Sequence, residues 1–138
     1  MLFRSLANPL ADYLSSLDRF RALPADTFVL PSHGMPFYGL HARLDQLSHH
    51  HGVRLDQLDS LLDGPRDSMA LTNGLFPRAV AEGQGRLALS ETIAHAHFLV
   101  SQGRAGRFVD EQGNVSFARS SSAAQLRAPV HRQSGAAL

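Results

Sequence analysis

The feature that most restricts what this chain can fold into is its punctuation. Proline and glycine recur at short intervals, and they cut the sequence into apolar-periodic segments, none of which reaches the length of a membrane span. With 138 residues, 43% of them hydrophobic, such segments must pool their apolar faces into one ordinary domain or two small ones.

The first segment opens at Asn8-Pro9, with Asn as helix cap and Pro at the first helical position. Leu10, Tyr13, Leu14, Leu17 and Phe20 then mark one face, and Pro24 ends the helix. Asp26 to Leu30 reads as a short buried strand, stopped by Pro31. From Gly39 a second helix carries Leu40, Leu44 and Leu47, then Leu55, Leu58, Leu61 and Leu62, with a kink expected at Gly52. Asp63-Gly64-Pro65 is a turn, Ser68 to Phe76 a short helix stopped by Pro77. A longer helix follows Gly83 to Gly85, through Leu87, Leu89, Ile93, Ala94, Leu99 and Val100, and Gly103 closes it. Strands at Arg104 to Val109 and Asn114 to Phe117 flank hairpin-turn chemistry. The predicted class is mainly α with a small β component, and three helices followed by a hairpin is the winged-helix order. Arg119 to Leu138, rich in Ser, Ala, Gly and Gln, reads as a disordered tail.

Composition removes several chemistries. There is no cysteine, so disulfides, thiol catalysis and thiolate metal sites are excluded, and a metal site must use His, Asp or Glu. All thirteen basic residues are Arg, which excludes lysine Schiff-base chemistry. A net charge of +1 does not by itself indicate nucleic acid. The N-terminus MLFRSLANPL has neither a long apolar region nor a cleavage site, and the expected compartment is the cytoplasm, with no membrane association.

The eight histidines are the candidate chemistry. His95-Ala96-His97 resembles the first half of an H-x-H-x-D-H metal motif, but Leu99 and Val100 stand where its Asp and third His belong. In a helix, residues two apart also point about 200° apart and cannot chelate one ion. A partly buried and an exposed histidine are expected there. His41, Asp45 and His49, at i, i+4 and i+8, share a helix face, either as ligands or as a solvated stripe. His33 stands apart, because Pro31, Gly34 and Pro36 all set loop geometry around it. Such a loop presents a ligand or a catalytic group, or else holds a structural histidine; one imidazole alone cannot satisfy a zinc ion.

The run NPLADYLSSLDRFRALPADTFVLPSHGMPFYGLHARLDQLSHHHGVRLDQL, then DGP, LFPR and LALSETIAHAHFLVSQGRAGR, resembles the C-terminal part of a metallo-β-lactamase-fold hydrolase, in the branch with a winged-helix-like domain after the hydrolase domain. The resemblance implies that residues 1–38 end an αββα hydrolase domain and that 39–118 form the winged-helix-like domain, with 119–138 as tail. It implies a dinuclear metal site, usually zinc, to which His33 of the PSHG loop contributes the last ligand. The H-x-H-x-D-H loop of that site does not occur in this sequence. The chain is therefore expected to be the C-terminal portion of a hydrolase of ester, thioester or phosphoester bonds and inactive alone. Its expected partner is the missing hydrolase half, or a second copy meeting exposed apolar surface. The alternative is a nucleic-acid-binding winged helix using Arg86, Arg104, Arg107 and Arg119, or a module for protein interaction and dimerisation.

Overall fold

The structure, a computed structural model, describes residues 7–121. Asn8 accepts a hydrogen bond from the Ala11 amide through Oδ1 (3.3 Å), and with Pro9 behind it this starts α1, Pro9–Phe20. The helix buries Leu10 and Leu17. The predicted strand after it does not form. Only Val29 and Phe37 pair, through amide-to-carbonyl bonds of 2.8 and 3.0 Å, and they close a loop over Leu30 to Pro36. Pro31 lacks the amide hydrogen that the next bonded pair inward would use, so the ladder cannot extend from that bridge toward the loop tip.

Gly39, at a φ of 95°, turns the chain into α2, Leu40–Leu61. This helix runs unbroken through Gly52, where the expected break is absent. A mid-helix glycine costs about 1 kcal/mol, and burial on both sides of it outweighs that: Leu40 and Leu44 pack with Leu17, while Leu55 and Leu58 enter a larger core. Leu14 touches both clusters.

The second half is built around that larger core. A two-residue strand, β1 (Arg66–Asp67), precedes α3 (Ser68–Leu75), whose first turn Asp67 caps through a 2.8 Å bond from the Ala70 amide. Helix α3 comes so close to α2 that a Cβ on Gly74 would lie 2.8 Å from Leu61 Cδ1. Pro77 ends α3 as expected but also opens a short α4, Pro77–Ala81, because a proline at the first helical position loses no hydrogen bond. Helix α5 (Gly85–Ser101) leads into β2 (Ala105–Val109) and β3 (Val115–Arg119). Asp110 Oδ1 accepts the amides of Gln112 and Asn114, and Gly113 at a φ of 87° completes the turn.

The sheet order is β1-β3-β2, all antiparallel, with Arg66 opposite Phe117 and Ala105 opposite Arg119. Phe117, Leu58, Leu62, Leu71 and Leu99 fill the space between sheet and helices. The chain is thus mainly helical with a small β component. Its last strand residue is tied back to α2: the Arg119 amide donates to the Leu62 carbonyl (3.1 Å) and its guanidinium to the Asp59 carbonyl (2.6 Å). Arg119 therefore belongs to the folded part, and the rest of the expected tail beyond Ser121 lies outside the described residues. No described helix is long and apolar enough to cross a membrane.

Candidate metal-ligand loop

The PSHG loop hangs from the Val29–Phe37 bridge, and Gly34 at its tip adopts a φ of 91°, which an L side chain disfavours. His33 sits beside that turn with its side chain exposed. Below it α1, the loop and the start of α2 enclose an open hollow of about 870 Å³. Its walls are mainly apolar, with the more buried Leu17, Val29, Phe37 and Leu44, the exposed Phe28 and Tyr38 with ring centroids 4.7 Å apart, and Arg43 and Gln46 as polar members. Leu30, Met35 and Tyr38 are 73%, 84% and 69% exposed. All three line the same hollow and are not scattered singly over the surface.

The described residues do not make a metal centre. Zinc takes four donors, and among the described residues no group of three or more His, Asp or Glu comes together to hold an ion. The helix-face trio disperses. His41 Nε2 donates to the Leu23 carbonyl at 2.9 Å, Asp45 pairs with Arg21 at 2.7 Å, and His49 is exposed. These contacts fasten the chain leaving α1 onto the first turns of α2.

His95 and His97 diverge as helix geometry requires, but both are more buried than expected. His97 is partly buried with its ring 5.9 Å from that of Phe117, and burial, then the charge of Arg107, holds it below the ordinary imidazole range. His95 is only 2% exposed and faces His51 across α2 and α5, with His51 Nδ1 3.2 Å from His95 Nε2. The kink expected from sequence at Gly52, next to His51, gave no sign of this pair. Nothing local could reveal it, since the contact spans 44 residues.

The arginines proposed for phosphates are partly committed elsewhere. Arg104 lies 3.6 Å from Asp56 and 3.7 Å from Asp59, and Arg119 lies 3.6 Å from Asp59. Nε of Arg107 is buried, while Arg86 is exposed.

The family model for "Metallo-beta-lactamase-like, C-terminal domain" matches residues 55–120. A β-lactamase domain protein from Burkholderia ambifaria is 36% identical and superposes with a TM-score of 0.76, over 86% of this chain and 36% of that one. A metallo-β-lactamase family protein from Thermus thermophilus is 37% identical with a TM-score of 0.67, over 81% of this chain and 34% of its own. The chain thus spans about a third of the length of either structure. No curated protein matches it. Residues 55–120 thus form a metallo-β-lactamase-like C-terminal domain, and most of the chain is similar to part of two solved proteins of the metallo-β-lactamase family.

Proposed function

We propose that this chain is the C-terminal portion of a metal-dependent, zinc-using hydrolase of ester, thioester or phosphoester bonds. In this reading His33 supplies one ligand to a dinuclear centre, and the other ligands come from a hydrolase half. The observation that carries it is the placement of an exposed imidazole, on a loop closed by the Val29–Phe37 bridge, at the edge of an apolar hollow. The family match supports it. The hydrolase half would cover the hollow, bury Leu30, Met35 and Tyr38, and bring its donors to His33. Residues 1–38 then complete the hydrolase domain, and 39–118 form the winged-helix-like domain beside it. In this reading the chain brings His33 alone to the centre and does not catalyse without the hydrolase half.

The order helix, strand, helix, helix, hairpin also suits a nucleic-acid-binding winged helix. The carboxylates on Arg104 and Arg119 favour packing and interaction over phosphate binding. A fusion that replaces the C-terminal third of the Burkholderia ambifaria protein with this chain tests the hydrolase reading. Metal analysis of the fusion is expected to show bound zinc, reduced by His33→Ala; unchanged zinc content in that variant refutes His33 as a ligand.

A further inference from the structure

Two histidines that the hydrolase reading does not use join the two longest helices. His51 leaves the middle of α2 and His95 the middle of α5, their rings tilted by 32° with centroids 5.3 Å apart. His95 Nδ1 lies 2.7 Å from the carbonyl oxygen of Glu91, one turn back on its own helix. A carbonyl can only accept, so His95 Nδ1 carries a hydrogen, and in the neutral ring Nε2 keeps its lone pair. The 3.2 Å contact is then a bond from His51 Nδ1–H to His95 Nε2, which leaves His51 Nε2 without hydrogen.

The surroundings make this bond sensitive to protons. Tyr13 of α1 sets its ring edge-on to His51 at 5.3 Å, and a hollow of about 530 Å³ between α1 and α5 reaches Tyr13, His51, Glu91 and His95. The charged and titratable groups facing the pair are Tyr13 from α1, His50 and Arg54 from α2, and Glu91 from α5. One added proton is tolerated. On His51 Nε2 it leaves the bond in place with an imidazolium donor, a stronger, charge-assisted form. A second is not, because on His95 Nε2 it sets N–H against N–H and places a positive charge on a ring that is 2% exposed.

We propose that the His51–His95 bond is an acid-released clasp, holding α5 to α2 and the edge of α1 at neutral pH and opening when both rings are protonated. Burial is the main cause holding both rings below the ordinary imidazole range; the neighbouring imidazole adds to it at His51, and the Glu91 carbonyl and carboxylate partly oppose it at His95. The unfolded chain therefore takes up protons first as pH falls. The clasp's contribution is complete above the ordinary imidazole value, and it is lost progressively as pH falls from there through the rings' lowered folded values.

The test is nitrogen-15 NMR of the histidine rings in the full chain, together with urea unfolding between about pH 7.5 and about pH 5. At the upper pH His95 is expected as the Nδ1–H tautomer, and the two rings are expected to titrate in coupled steps. The folding constant is expected to fall on acidification, by up to about tenfold for each unit by which a ring's value lies below that of the unfolded chain. His51→Gln offers an amide donor to the same acceptor with one fewer titrating ring, and should reduce this acid slope by about one proton. An unchanged slope refutes the clasp, as does independent titration of the rings at their ordinary value or a hydrogen on His95 Nε2 at the upper pH. Zinc alone should leave both rings' signals in place; a joint shift at one equivalent overturns the clasp in favour of a metal site. The NMR arms use the unmodified chain, so they decide the matter even if the variant fails to fold.

Discussion

The two halves of this molecule bury their apolar residues very differently. From Leu55 to Phe117 the core is closed: Leu58, Leu62, Leu71 and Leu99 are wholly buried, drawn from three helices and sealed by a three-stranded sheet. From Pro9 to Leu47 Leu10 joins that core, while the separate buried cluster is Leu17, Leu40 and Leu44, and Phe28, Leu30, Met35 and Tyr38 face outward around it. Both halves are rich in Leu and aromatic residues, so composition does not separate them. What separates them is whether a second layer exists. The first half has α1 and α2 with a loop across them, and nothing among the described residues on the other side.

The comparison is open to direct attack. Phe117→Ala should remove about 3 to 5 kcal/mol, enough to unfold a domain of this size under mild urea. Leu17→Ala should cost roughly 2 kcal/mol, because its site borders the open hollow and can relax; equal losses in urea unfolding would erase the distinction. Gly74→Ala should cost on the order of 1 kcal/mol, since the new methyl must push Leu61 aside. Asn8→Ala, which removes the α1 cap, should cost about 0.5 to 1 kcal/mol. Leu30→Ser with Tyr38→Ser should change stability by no more than about 0.5 kcal/mol, while reducing any self-association seen by sedimentation. If the double variant instead destabilises the chain strongly, the hollow is a filled core and not a docking face.

Much of this was legible in the sequence, for identifiable reasons. The 3.6-residue period found α1, α2 and α5, the turn at Asp63 to Pro65 and the stop at Pro77 bounded α3, and the turn residues of Asp110 to Asn114 found the hairpin. The strand at Asp26 to Leu30 was misread because strand composition says nothing about whether a neighbour exists to pair with. The two residues of β1 carry no period at all, and only β3 gives them a partner. At Gly52 local propensity pointed to a kink, and tertiary burial on both flanks prevailed. His33 was singled out correctly as a loop histidine because Pro and Gly fix loops locally. The His51–His95 pair needed the packing of α2 on α5, which only the fold supplies.

The bond from the Arg119 amide to the Leu62 carbonyl, with the guanidinium on Asp59, has a consequence for how this region can be handled. It brings the end of β3 against the last turns of α2, so the segment matched by the family model, 55–120, closes near where it starts. A unit whose entrance and exit are neighbours can be lifted out and spliced into another chain with short connections, or given new termini by joining the old ones. The C-terminal unit is therefore built like a cassette: it could be moved with most of its core, leaving behind only the α1 contribution of Leu10 and Leu14.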